Sequence, residues 1–389
     1  MPRMRKLVLF VAGLALGSLL VEAMLRLGEA GPWWRVVPLV EASFYGPDPV
    51  AGFAHRPDAT GVWLTEHRAR QTVSHQGLLD RSYTDSPPSG TWRVATLGDS
   101  IVEALQVERQ NSFQRLTELL LAPTSGSVEV MNAGVSGATP AVIAARLDTH
   151  VLQYRPDAVV ILLPMSDFLS AGSGFSSPIT EYEDVGNNTI QRGTAFRDSF
   201  GYRFRTSPGG DAFYFLLENV RLAGAVNARL NTGLFHDLTF RKITAGHDVP
   251  VDSACPDIAP HLAVWEQTAS GFASKRATAF IDDIARQIHG TNTNLIVAMM
   301  GFNENCAGNA EQRLQLAALL QHRFAEKHTT AIIVDWDAAV AEHLAPAQTL
   351  RSLRGFGVSR GKGHLNHSGH RAYAATLADV LKPHLVNRH

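Results

Sequence analysis

The stretch RVATLGDSIVEALQVERQNSF runs from Arg93 to Phe113. It opens on a short apolar run, Val94–Leu97, which stops at the tight-turn sequence Gly98-Asp99-Ser100. A brief apolar run closed by turn residues is the pattern of a strand buried on both faces. A helix is expected after it, over Ser112–Leu121. The same unit recurs along the chain. Further strands are expected at Val128–Met131, Ala158–Leu163, Leu295–Met300 and Ala331–Val334, and further helices at Ala141–Tyr154, Phe272–His289, Ala310–His328 and Ser368–Leu385. Alternating strands and helices imply a parallel sheet with helices on both faces. Right-handed crossovers make it an α/β, flavodoxin-like three-layer sandwich, in which ligands bind at the carboxyl ends of the strands.

The chain has 389 residues, a soft prior of about two to three domains. Its hydrophobic content of 45% supplies a sizeable core and excludes wholesale disorder. The net charge of -1 argues against nucleic acid as a partner. Two cysteines exclude a disulfide-dense scaffold and a multi-cysteine metal site.

Arg3, Arg5 and Lys6 precede an apolar run, Leu7–Leu25, interrupted only by Glu22. Such a run approaches the roughly 20 residues needed to span a bilayer, and its basic flank favours a cytoplasmic N-terminus. Trp33 and Trp34 follow, where an interfacial aromatic belt would lie. Residues 1–30 are therefore expected to be a signal-anchor helix; a cleaved signal peptide is the alternative. Glu22 is costly in lipid unless it snorkels to the interface or meets another membrane protein. Export implies an oxidising compartment, where Cys255 and Cys306 either pair or remain free thiols. Residues 31–90, rich in Pro, Gly, Asp and Ser, read as an extended stalk packed on the main domain, 91–389. Within the latter, alternation stops over 169–271, too long for a plain loop. That segment reads as an inserted lid or partner-binding subdomain, with one amphipathic helix near Asp211–Arg229.

Four motifs end strands or precede the last helix. Gly98-Asp99-Ser100 sets a hydroxyl at the sheet's carboxyl edge, where it is a nucleophile if a base takes its proton. Asn132-Ala133-Gly134 offers a backbone N–H to a developing oxyanion, although a glycine needed only for geometry fits as well. Ser166-Asp167 ends the third strand, and His364-Leu365-Asn366 precedes the last helix, which Ser368 is expected to cap. His364, His367 and His370 do not converge easily on a metal, so His367 and His370 are expected to be cap or surface residues.

In this order the motifs resemble the SGNH/GDSL hydrolase family, specifically its bacterial membrane-anchored members. Gly77-Leu78-Leu79-Asp80 is similar to the GxxD element of their stalks. The resemblance covers roughly 41–167 and 290–385. It implies that Ser100 is the nucleophile and His364 its base. It also implies an oxyanion hole from the N–H groups of Ser100 and Gly134 with the side chain of Ser166. Asp99, Asn132, Asp167 and Asn366 would support these groups, and no cofactor is implied. Two positions depart from the family pattern. Ser166 stands where Asn is usual, and Gly361 stands where Asp precedes the catalytic His. Losing that carboxylate removes the group that fixes the His tautomer. The expected activity is that of a serine esterase, deacetylase or O-acyltransferase on envelope carbohydrate esters, held in the bacterial inner membrane with its main domain in the periplasm. The alternative is a catalytically eroded scaffold that serves as a subunit of a membrane protein complex.

Overall fold

The computed structural model describes residues 2–30, 44–63, 66–164, 179–186, 189–230, 272–301, 310–357 and 360–385. Trp33, Trp34, Ser166, Asp167, Cys255 and Cys306 lie outside the described residues.

The first helix, α1, spans Pro2–Ala30. Two antiparallel hairpins follow: β1 (Tyr45–Asp48) with β2 (Gly52–His55), and β3 (Thr60–Trp63) with β4 (Ala69–Thr72). The body then runs β5 (Thr91–Leu97), α2 (Ser100–Glu103), α3 (Phe113–Ser125), β6 (Ser127–Asn132), α4 (Pro140–Arg146) and β7 (Ala158–Pro164). A small hairpin comes next, β8 (Tyr182–Asp184) and β9 (Ile190–Arg192), followed by three helices. These are α5 (Phe200–Arg205), α6 (Pro208–Asn219) and α7 (Arg221–Leu230). The chain closes with α8 (Phe272–Ile288), β10 (Asn294–Met300), α9 (Ala310–Glu326), β11 (Ala331–Asp335), α10 (Trp336–Ala341) and α11 (His367–Leu385).

β6, β5, β7, β10 and β11 lie side by side in that order, every pair parallel. Counted along the chain the order is 2-1-3-4-5, the flavodoxin-like arrangement expected from the sequence. Alternate strand residues feed opposite faces, because successive Cβ atoms point to opposite sides. Leu97, Met131, Ile161 and Val297 pack with Ile143, Phe280, Ile284 and Leu320 on one face. Val94, Val130, Val160, Leu162 and Ile296 pack with Phe113, Trp336, Tyr373 and Leu377 on the other. Each such aliphatic side chain contributes ~2 kcal/mol by leaving water, which fixes the strands on both sides. The order reverses between β5 and β7, so the end of β5 is the topological switch point.

The described residues between 44 and 90 are folded rather than extended. Ala51, Leu78 and Tyr83 are buried in the body's core. Buried Asp80 accepts the N–H of Asn132 at 2.9 Å and the Tyr83 hydroxyl at 2.7 Å. Arg81 bonds Glu118 of α3 at 2.6 Å. Three smaller differences from the sequence reading are local. The helix expected over Ala141–Tyr154 keeps α geometry only to Arg146, then continues as a π turn, Leu147–Val151, and a 3₁₀ turn, Leu152–Tyr154. The amphipathic helix near Asp211–Arg229 is two helices broken at Val220, whose backbone is extended. The cap of α11 is Asn366, whose Oδ1 accepts from Ser368 and Gly369 N–H at 2.9 and 3.0 Å, so Ser368 is a capped residue.

Candidate active site

Ser100 opens α2 immediately after β5, at the switch point. Asp99 caps that short helix, accepting the Ile101 N–H at 2.9 Å. Ala104 closes it in the left-handed region (φ 63), its N–H returning to the Ser100 carbonyl at 3.2 Å. Ser100, partly buried, is thus carried on a turn pinned at both ends. Burial raises the Asp99 carboxyl, against the opposing pull of the Ile101 N–H and the positive charges of His364 and Arg354. The His364 loop thus lies near enough to Asp99 to act on its carboxyl through charge.

His364 is held from two directions. Arg354 donates to the Gly363 carbonyl at 3.0 Å, and Asn366 Nδ2 donates to the Ser352 carbonyl at 3.0 Å. Glu66 closes the other side. Its Oε2 accepts the His364 N–H at 3.0 Å and its Oε1 meets Nδ1 at 2.8 Å. Burial alone would raise the Glu66 carboxyl. The His364 bonds and charge, with help from Arg354, outweigh that and hold it below the usual carboxylate range. An ionised carboxylate on Nδ1 fixes the tautomer with the proton there. Nε2, without a partner among the described residues, is then the basic nitrogen.

Glu66 sits in the β3–β4 hairpin loop with φ 65, a conformation that costs a non-glycine residue ~1 kcal/mol or more. Its neighbour His67 bonds the Gln106 carbonyl at 2.9 Å and stacks on Phe356 at 4.5 Å, docking the loop onto the body. Gly363 makes room for the carboxylate, since a Cβ there would lie 2.7 Å from Glu66 Oε1. At Gly361, where the family resemblance places an acid, φ is 84, and no side chain issues from that position. Sequence reasoning missed Glu66; the acid comes from the β3–β4 hairpin, far from Gly361 in the chain.

The Gly134 loop packs hard against α2. A Cβ at Gly134 would lie 2.4 Å from the Glu103 nitrogen, so close approach demands glycine. The Gly134 N–H donates to Asn132 Oδ1 at 3.1 Å, and Asn132 Nδ2 donates to the Glu103 carbonyl at 2.9 Å. An oxyanion at Gly134 must share or displace the Asn132 bond. Glu103, also unnoticed in the sequence, is a fully buried carboxylate behind the loop. It accepts from Tyr45 and His55 at 2.6 Å each, and from the Ser136 hydroxyl. Burial would raise it, but these donors, His55 foremost, hold it low. This network ties the β1–β2 hairpin and the Gly134 loop to α2.

Ser100 Oγ and His364 form no direct hydrogen bond. His367 lies half-buried against His67 and Phe356, at ring separations of 5.4 and 5.8 Å. His370, expected as a cap or surface residue, is buried, and its Nδ1 accepts the Phe113 N–H at 3.3 Å.

No family model matches the chain, and no curated protein does. Among solved structures it is similar to a lipase/acylhydrolase from Enterococcus faecalis, at 13% identity and TM-score 0.36, over 75% of this chain and 96% of that one. It is similar to the acetyl xylan esterase AlAXEase at 12% identity and TM-score 0.37, over 74% and 99%. It is also similar to the acetylxylan esterase Axe2 from Geobacillus stearothermophilus at 15% identity and TM-score 0.36, over 77% and 95%. Likeness this distant says nothing about activity.

Proposed function

We propose that the chain is a serine esterase or acyltransferase, tethered to a membrane by α1 and acting on acyl esters of envelope carbohydrate. The helix over Met4–Gly28, with mean hydropathy 2.2, is long and apolar enough to cross a bilayer. The observation that carries the catalytic part is the bond between Glu66 and His364 Nδ1 at 2.8 Å. It supplies the carboxylate that the sequence lacks at Gly361, on the imidazole that the family resemblance makes the base.

In this reading Ser100 Oγ attacks the acyl carbonyl carbon while His364 Nε2 takes its proton. Glu66 stabilises the resulting imidazolium. The tetrahedral oxyanion is held by the N–H groups of Ser100 and Gly134 and by the Ser166 hydroxyl, each donor contributing a few kcal/mol. Collapse breaks the ester C–O bond, and His364 returns the proton to the departing alcohol. Water or a sugar hydroxyl then attacks the acyl-Ser100 ester, with His364 again as base, and Ser100 is regenerated. Asp99 and Asn366 act by fixing the backbone around Ser100 and His364, and Asp167 by supporting Ser166.

One observation favours the scaffold reading: the Gly134 N–H is already spent on Asn132. A fluorophosphonate probe on the full chain in nanodiscs separates the two. Labelling of the Ser100 peptide, abolished by Ser100→Ala, is the expected result. An unlabelled wild-type chain that co-purifies with a stoichiometric membrane protein would overturn the catalytic reading.

A further inference from the structure

We propose that α5 and α6 lie on the surface of an anionic bilayer, seating exposed phenylalanines among the acyl chains and arginines among the phosphates. The inference rests on reading α1 as membrane-spanning and goes beyond the esterase chemistry. The junction between α6 and α7 is clamped to the outer end of α1. Glu22 accepts the N–H groups of Arg221 and Leu222 at 3.0 and 2.8 Å, and Arg26 donates to the Asn219 carbonyl. Glu22 is only ~9 Å of helix rise from Gly28, the end of the apolar span. The clamp therefore stands within ~9 Å of the end of the apolar span, and α6 arrives at that level.

The two helices present an apolar surface there. On α6, Ala212, Phe215, Leu216 and Asn219 follow one another at helical spacing, leading straight to the clamp. Phe215 is 62% exposed and Leu216 49%. On α5, Phe200 is 85% exposed, and its ring stacks on Phe204 at 6.3 Å. Phe204 meets Phe213 edge-on at 6.1 Å, which joins the two helices into one aromatic patch. Arg203 and Arg205 flank the patch, exposed and without an ion pair among the described residues. Apolar rings beside basic side chains suit the headgroup boundary of an anionic membrane. Lipid already fills the plane that α1 leaves, so the bilayer is the occupant of this face. On the opposite side, Arg56 pairs with Glu218 and lies over the Tyr214 ring at 4.4 Å. That contact links the patch to the β1–β2 hairpin, so seating on lipid sets the orientation of the whole body.

The test uses the full chain in nanodiscs of phosphatidylethanolamine and phosphatidylglycerol, doped with a lipid carrying a photoactivatable diazirine on its acyl chain. Mass spectrometry is expected to find adducts in α1 and also within 200–216. The double variant Arg203→Glu, Arg205→Glu should cut the second set at least fivefold, leaving α1 adducts and fluorophosphonate labelling of Ser100 unchanged. Adducts in α1 alone overturn the proposal, as does cross-linking of 200–216 to a protein in native membranes. Absence of adducts from α1 as well overturns the tether with it. Failure of Ser100 labelling alone touches only the esterase reading. Independently, Phe215→Trp should add emission quenched at least twofold by acyl-brominated lipid; unquenched emission counts against lipid contact.

Discussion

Glu66 reaches His364 across 298 residues of chain. The acid therefore enters through tertiary docking of a hairpin, and no local spacing announces it. Leu64-Thr65-Glu66-His67-Arg68 has the look of a solvated polar turn. Nothing in its composition separates Glu66 from the other carboxylates of the chain. What the sequence did carry was the vacancy, glycine at 361 in place of an acid, together with Ser100 and His364 on either side of the sheet's alternation. Gly363 was visible too, but its purpose was not, because only the docked carboxylate explains the need for a missing Cβ. Replacing Glu66 by Gln keeps the shape and removes the charge. kcat for ester hydrolysis should then fall ~10²–10⁴-fold with KM nearly unchanged, as expected when the tautomer-fixing carboxylate is lost. Glu66→Asp should recover part of that loss. A Glu66→Gln enzyme with unaltered kcat would show that Glu66 only braces the loop.

At the level of elements, the strands were legible because fully buried parallel strands are short apolar runs between turns, and each begins and ends within a few residues of its expected bounds. The helix ends were less so. Asn366 rather than Ser368 caps α11 because its side chain also ties down carbonyls of the preceding loop, a contact that no cap preference encodes. His370 on α11 is the clearest miss. Histidine is usually exposed, yet this ring is buried against Phe113. Burial, with the neighbouring charges of His367 and His364, depresses its pKa to about 3. An unfolded chain binds that proton from about pH 6.5 downward, while the folded one refuses it until about 3. The stability due to neutral His370 is therefore complete above pH 6.5 and erodes as pH falls toward 3, by up to ~1.4 kcal/mol per pH unit. His370→Phe should cost ~1 kcal/mol at neutral pH, through the lost bond to the Phe113 N–H. It should also flatten the fall of Tm between pH 6.5 and 4. His150, depressed to about 4 by burial and by Arg146, supplies a remaining slope of the same sign. An unchanged slope in the variant would contradict this account.

On the scale of the whole molecule, the sequence placed α1 and the sheet but not their junction. From the sequence, Glu22 reads as a residue that snorkels to the interface or meets another membrane protein. It instead caps the chain's own α7, taking two N–H groups that begin that helix. Polar groups at a helix start are worth ~1 kcal/mol, so Glu22→Ala should speed hydrogen exchange of the first turn of α7 about fivefold, with β5 and β7 unaffected. Uniform protection in both proteins would argue that α1 and α7 are not coupled.

The hairpin that brings Glu66 to His364 lies between α1 and the sheet in the chain, which, in the proposed tethered reading, has a bearing on how such a protein would be shed. A cut within 31–43 would release a soluble fragment still holding its whole proton relay. A cut between β4 and β5 would leave the Glu66 hairpin on the α1 side of the break, joined to the body only by noncovalent contacts. Once that remnant drifted away, the liberated fragment would keep Ser100 and His364 but have nothing to orient the imidazole. Where the protease strikes would then decide whether the proposed activity leaves the membrane with the fragment or ends there.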